Sequence, residues 1–312
     1  MFPPRIGVRA LTVALALAGT FAVMACSAPL ASAATTPGCT LTPTSGLTTV
    51  TFGSRQYQLD VPPGLTGTSV PLLISLHGAG SNGTEDDDFG PDWSSVAASD
   101  NFIVAYPDAE FPDQSSLGLS SLPYLEGGVW DPYTVGSTDV PFILSVVSNI
   151  ESNYCINSSR VYLDGWSNGA VMSQRMACAA ANVFAAANSY AGGDPTIEAT
   201  YDSEVAPYLG QFAGAPCTPS RPISVSMIVG QEDFTYPALS ENASLWEGID
   251  GCGSTPVAET DSYGSQDTYS CADGTQVMTR VVSLTSHNWP IGAQGDDQRA
   301  RIWAFFMANP LP

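Results

Sequence analysis

The chain has 312 residues, 44% of them apolar, with 29 Gly and 24 Pro. Its nine basic residues are all Arg and face 30 Asp and Glu, giving a net charge of -21. The length allows one large α/β domain with an ample core, and the charge argues against nucleic acid and anionic membrane surfaces as partners.

Arg5 and Arg9 flank the start of a short apolar run over 11–24, and Ala31-Ser32-Ala33 offers small residues before Ala34. This is the pattern of a cleaved secretory leader over 1–33, too short for a stable membrane span. Acylation at Cys26 is the rival processing route. Residues 34–312 are then expected to be one secreted, monomeric domain with no membrane segment. Six cysteines remain in it: Cys39, Cys155, Cys178, Cys217, Cys252 and Cys271. An even number in an exported chain reads as a disulfide framework. No zinc-type cysteine spacing accompanies them, and neither a metal nor a cofactor is expected. Cys252 and Cys271 bracket a local hairpin-like stretch and form the clearest pair. Asn82, Asn157 and Asn242 each open a glycosylation sequon.

After a Thr/Pro-rich lead-in tethered by Cys39, residues 48–52 and 55–61 alternate as a hairpin about Gly53-Ser54. Residues 70–76 are continuously apolar, as in a strand buried on both faces, and run into the Gly-rich loop His77-Gly78-Ala79-Gly80. A helix is predicted over 93–98 and a buried strand over 102–106. A long aromatic-rich irregular stretch follows over 107–136, of the kind that is usually functional. Thr138-Asp139 caps a helix over 140–153, with apolar residues at helical spacing.

Val161-Tyr162-Leu163-Asp164 then leads into Gly165-Trp166-Ser167-Asn168-Gly169 and a helix ending near Asn182. A strand over 183–190, a second long insertion over 192–222, and a strand over 223–229 come next. They are followed by helix 238–247, the cysteine-bracketed hairpin, strand 277–284 and helix 297–307. Strands alternating with helices imply a mostly parallel sheet covered on both faces.

Gly-x-Ser-x-Gly between a strand and a helix is the setting of a nucleophile elbow, with Ser167 on a strained turn. A serine hydroxyl needs a base within hydrogen-bond reach, and the base needs an orienting carboxylate. Only two histidines exist, His77 and His287. The α/β-hydrolase order of nucleophile, acid and histidine selects His287, which lies after the last strand. The acid belongs in the turn after strand 223–229, where Asp233 is preferred and Glu232 is its rival. The oxyanion donors expected are the main-chain N–H of Asn168 and that of Ala79, with Gly78 as the alternative. His77 shapes the Gly-rich loop or borders the substrate. Trp166 and Trp289 are assigned to the substrate pocket, with core packing the competing reading for Trp289.

Leu76-His77-Gly78, the stretch from Tyr162 to Gly169, the turn from Gly230 to Asp233, and His287-Asn288-Trp289-Pro290 together resemble a group of secreted esterases. The group comprises feruloyl esterases, acetyl xylan esterases and polyhydroxybutyrate depolymerases of the LpqC-like type, all with the α/β-hydrolase fold. The resemblance spans the chain from about Cys39 onward. It implies Ser167 as nucleophile, Asp233 as acid and His287 as base, and the pairs Cys39–Cys155 and Cys178–Cys217. It also implies a polysaccharide- or polymer-linked ester as substrate, with a feruloyl ester preferred over a polyester or an acetylated xylan. A catalytically silent carbohydrate-binding protein on the same fold is the reading from another class.

Overall fold

A computed structural model describes residues 39–110, 127–196 and 215–312. The expected leader with Cys26, and parts of both long insertions, lie outside the described residues. All described residues belong to the unit Cys39–Pro312.

Ten strands form one sheet in the order β1-β2-β4-β3-β5-β6-β7-β10-β9-β8. The first hairpin is β1 (Thr48–Phe52) and β2 (Arg55–Asp60), turned at Gly53 with φ +67°. The centre is β3 (Val70–Leu76), β4 (Ile103–Pro107), β5 (Ile156–Gly165), β6 (Ala186–Tyr190), β7 (Ser224–Gly230) and β10 (Gln276–Val282), parallel to one another, with β2 joining β4 antiparallel. At the far edge β8 (Val257–Thr260) and β9 (Gly264–Ser270) add antiparallel to β10.

The continuous apolar runs are explained by two faces that are both covered. Leu72, Ile74, Leu76, Val161 and Leu163 enter one core with Phe142, Ile143 and Val146 of α3 (Asp139–Asn153), Met172 and Met176 of α4 (Asn168–Ala179), and Trp246 of α5 (Leu239–Asp250). The alternate residues Leu73 and Tyr162 enter the other, with Ala97 of α2 (Ser94–Asp100) and Ile302, Trp303 and Phe306 of α6 (Gly292–Ala308). Period-2 alternation along a two-sided sheet requires this division.

Two helices differ from expectation. Helix α1 (Gly83–Phe89) falls between the Gly-rich loop and helix 93–98, where no element is predicted. It forms because Asn82 Oδ1 accepts the N–H groups of Thr84 (3.0 Å) and Glu85 (3.1 Å), an N-cap. Helix α6 starts five residues before the predicted position, at Gly292. Its first turns are drawn in by Arg280 of β10, which is fully buried. Arg280 Nε donates to Gln298 Oε1 at 2.8 Å, and Nη2 reaches Asp261 at 3.0 Å and Asp297 at 3.2 Å.

Three disulfides pair the six cysteines: Cys252–Cys271, as read from the sequence, and Cys39–Cys155 and Cys178–Cys217, as the resemblance implies. The first closes the β8–β9 hairpin. Of the sequons, Asn242 is buried inside α5, so a glycan there would not fit the folded chain. Among the described residues no helix is long and apolar enough to cross a membrane.

The acidity extends into the interior. Asp86 of α1 accepts the Ser75 hydroxyl at 2.6 Å and is buried. Burial pushes its carboxyl up to about 7, with Asp164 and Asp87 adding to the shift and the Ser75 bond opposing it. Burial likewise raises Asp250 to about 7, against the Ile223 N–H and Arg221. Both acids titrate near 3.9 in an unfolded chain, so the folded state favours their protonated forms. Their contribution to stability is therefore complete below about pH 4 and is lost as pH rises to about 7. We expect the thermal midpoint to fall between about pH 4.5 and 7.5. Asp86→Asn keeps the Ser75 bond and should flatten that fall, by at most about 4 kcal/mol at 1.4 kcal/mol per pH unit. Melting curves across this range check it; an unchanged slope in the variant refutes the assignment.

Candidate active site

Strand β5 ends at Gly165, and α4 begins at Asn168. Between them Ser167 takes φ +55° and ψ -117°, a conformation that costs a side-chain-bearing residue roughly 1–3 kcal/mol. Its neighbours hold it there. Ser167 N–H donates to the Tyr190 carbonyl at 2.9 Å, Trp166 N–H to Leu76 at 3.1 Å, and Gly169 N–H to Trp166 at 2.9 Å. The flanking glycines are demanded by space. A Cβ on Gly169 would overlap the Leu76 carbonyl, and one on Gly165 would overlap the Gly169 carbonyl. The strand and helix can close around the serine only without those atoms.

The loops after β7 and β10 are tied together at the same sheet edge. Gln231 N–H donates to Val282 O and Glu232 N–H to Thr285 O, each at 2.8 Å. Asp233 turns inward from this clasp and is 4% exposed. Its Oδ1 accepts the N–H and the hydroxyl of Thr235, each at 2.8 Å. His287 Nδ1 lies 3.0 Å from Oδ1 and 2.9 Å from Oδ2. Burial pushes the Asp233 carboxyl up, but the bonds from His287 and Thr235 outweigh it and hold the carboxyl below its ordinary range. An ionised Asp233 takes the proton-bearing Nδ1 of His287 as donor, which leaves the lone pair on Nε2. That Nε2 lies 2.8 Å from Ser167 Oγ. The structure thus brings Ser167, His287 and Asp233 into one hydrogen-bonded line. The Glu232 side chain is exposed and stands outside it.

The other predicted residues divide. Trp166 is half-buried with its ring centroid 5.8 Å from that of His287. Gly78 lies against the elbow: a Cβ on it would be 3.0 Å from the Trp166 ring and 3.6 Å from Ser167 Cβ. Asn168 opens α4, and its side chain bonds the Trp130 backbone. Ala79 is exposed on the loop beyond Gly78. Two substrate-pocket assignments are corrected. His77 is wholly buried, its Nδ1 bonded to the Gly78 carbonyl at 2.7 Å and its Nε2 accepting Ala109 N–H at 3.0 Å. With both ring nitrogens committed to backbone it sets the loop, and burial lowers it to about 4. Trp289 packs on Tyr190 at 4.9 Å within the second core and forms no open wall.

Three contributors were not anticipated. Phe234, 62% exposed, lies tilted against His287 with ring centroids 4.3 Å apart. Its place next to the acid was the only available signal. Tyr190 supplies the carbonyl that holds Ser167. Trp130 lies in the 107–136 loop, whose functional character was expected, though not which residue mattered. Among the described residues no group of three or more His, Cys, Asp or Glu could hold a metal.

Comparison with known proteins follows the same line. Residues 55–196 match the family model described as "Esterase PHB depolymerase". Poly(3-hydroxyalkanoate) depolymerase C of Paucimonas lemoignei is 26% identical over 262 residues, 77% of this chain and 59% of that protein. Feruloyl esterase B of Piromyces equi is 24% identical over 283 residues, 83% of this chain and 46% of that protein. The chain thus spans about half the length of these curated relatives. Among solved structures, the acetyl xylan esterase from Aspergillus awamori superposes with a TM-score of 0.61 at 20% identity, covering 83% of this chain and 99% of that one. The fold is the α/β-hydrolase fold, as expected, and the resemblance to this esterase group holds.

Proposed function

Taking its likeness to the polyhydroxybutyrate-depolymerase and feruloyl-esterase group as the premise, we propose that this chain is a serine-dependent carboxylic ester hydrolase acting through an acyl-enzyme. The observation that carries the reading is the line from Ser167 Oγ through His287 to the buried Asp233. Ser167 Oγ attacks the ester carbonyl while His287 Nε2 takes its proton. The carbonyl oxygen becomes an oxyanion held by the N–H groups of Asn168 and Ala79. Collapse expels the alcohol, protonated by His287, and leaves Ser167 acylated. A water, deprotonated by His287, then releases the acid and restores the serine. Asp233 keeps the imidazole in its working tautomer and stabilises the imidazolium. Exposed Phe234 and half-buried Trp166 flank the reacting groups and offer faces to an aromatic acyl group.

The preferred substrate is a hydroxycinnamoyl ester on plant cell-wall polysaccharide, supported by these aromatic faces and by the feruloyl-esterase relative. The depolymerase family match favours a second reading, a hydroxyalkanoate polyester. Three disulfides suit an exported protein that meets such polymers outside the cell. The test is hydrolysis of methyl ferulate, acetylated xylan and polyhydroxybutyrate by the purified chain, with an organophosphate label mapped by mass spectrometry. We expect turnover of methyl ferulate and a single label on Ser167. A label elsewhere overturns the mechanism, and turnover of the polyester alone moves the substrate to the second reading.

A further inference from the structure

The two oxyanion donors of the proposed mechanism sit on segments about ninety residues apart, the loop after β3 and the first turn of α4. Such donors act only when held about 2.7–3.1 Å from where the oxyanion forms. The strands beneath them are already in register, with Leu76 paired to Gly165 and the Trp166 N–H bonded to the Leu76 carbonyl, but Ala79 lies three residues beyond that ladder, and one residue is bonded both to its loop and to Asn168. Trp130 Nε1–H donates to the His77 carbonyl at 3.0 Å. Its main-chain N–H donates to Asn168 Oδ1 at 2.7 Å, and Asn168 Nδ2–H donates back to the Trp130 carbonyl at 3.1 Å.

The residues before Trp130 reinforce this grip. Gly80 N–H donates to the Gly128 carbonyl at 2.9 Å, Gly127 N–H to Gly80 at 2.9 Å, and Gly128 N–H to Ser81 at 3.0 Å, so this strip pairs antiparallel with the loop bearing Ala79. A Cβ on Gly127 would overlap the Ser81 carbonyl, so the strip closes this tightly only without side chains. Trp130 itself is held from behind. It is buried, with the Arg55 guanidinium 5.6 Å from its ring and 3.7 Å from the Phe142 ring. Arg55 is in turn paired with Asp139 at 2.7 Å, and Asp139 accepts the Asp131 N–H at 2.7 Å.

We propose that Trp130 is a positioning residue that sets the spacing of the oxyanion hole by bonding the His77 loop with its indole and the nucleophile's neighbour Asn168 with its backbone. The proposal rests on the mechanism above. The bonds of Trp130 run to His77 and Asn168 rather than to the triad, and of the aromatic residues that are apolar enough for this buried place, tryptophan supplies an N–H at its rim. A displacement of about 1 Å in such a site can cost 100-fold in rate.

Two variants test it. Trp130→Phe removes the indole bond, and Asn168→Ala removes both bonds to the Trp130 backbone while leaving the Asn168 N–H in place. For each, kcat is measured per serine titrated with the organophosphate, together with KM, thermal midpoint and inhibition by phenylboronic acid, whose tetrahedral adduct places an oxygen in the hole. We expect kcat per titrated serine to fall about 10- to 100-fold with KM within about twofold, up to the loss of a donor displaced by about 1 Å and short of a donor removed outright. The boronic acid should weaken by the factor lost in kcat/KM. The double variant should fall little further than the worse single one, because both act through one clasp. Unchanged kcat per titrated serine, with only a lower thermal midpoint, makes Trp130 a packing residue and overturns the proposal. If Trp130→Phe does not fold, Asn168→Ala decides by the same criterion. A wild-type chain that neither hydrolyses esters nor takes the label overturns the functional reading itself, an outcome visible before any variant is made.

Discussion

Ser167→Ala should lower ester hydrolysis by roughly 10⁶-fold, the scale on which removal of a triad nucleophile acts, and leave the fold intact. Alanine keeps the Cβ, so the strain of the φ +55° backbone is the same in variant and wild type. The bonds that hold the turn are main-chain bonds to Tyr190, Leu76 and Trp166, and none uses the hydroxyl. What is lost is the one Oγ that faces His287 Nε2 at 2.8 Å. The thermal midpoint should therefore move little, within about 0.5 kcal/mol of stability. Release of p-nitrophenol from its acetate, beside a melting curve, checks both halves. Activity retained to within about tenfold would remove Ser167 from the mechanism, because binding and the oxyanion hole alone supply far less than that.

Asp233→Asn should cost about 10⁴-fold in kcat, with Glu232→Gln near wild type. The size of the first effect follows from where the new amide must sit. The N–H and hydroxyl of Thr235 both donate to Oδ1 at 2.8 Å, so they hold the amide oxygen there and place the NH₂ at the Oδ2 position. That NH₂ then faces His287 Nδ1 across 2.9 Å as a donor. His287 must accept on Nδ1 and carry its proton on Nε2, the wrong tautomer for taking a proton from Ser167. The loss should be seen in kcat with KM little changed, and the Asn residue should leave packing intact. Glu232 contributes its main-chain N–H to Thr285 and an exposed side chain, so removing its charge touches nothing in the line. The reverse pattern would move the acid by one residue.

Much of this site was legible before any coordinates because it is written in local patterns. Residues 70–76 read as a doubly buried strand, and β3 occupies that range with every residue buried. Gly165 and Gly169 flank Ser167 because strand and helix backbones meet there, and that turn chemistry is carried within five residues. Only one histidine follows Ser167, so chain order alone was enough to choose it. The helix over the acidic stretch after Gly83 carries no apolar period to announce it, because it depends on a cap at Asn82 and on a buried partner, Ser75, eleven residues before Asp86. The start of α6 was misplaced for a similar reason, since Arg280 gathers its first turns from another element.

The sequence by itself determined the alternation of strands and helices, the elbow at Ser167 and the choice of His287, because each rests on periodicity, turn chemistry or the scarcity of a residue type. Tertiary structure alone decided which of two adjacent acids faces inward, that His77 and Trp289 belong to the interior, and that Trp130 is bonded to both the His77 loop and Asn168. Those outcomes depend on which way side chains on separate loops turn when the loops meet. At Asp233 the turn is set by bonds from β7's loop to Val282 and Thr285, some fifty residues onward, which no local pattern encodes.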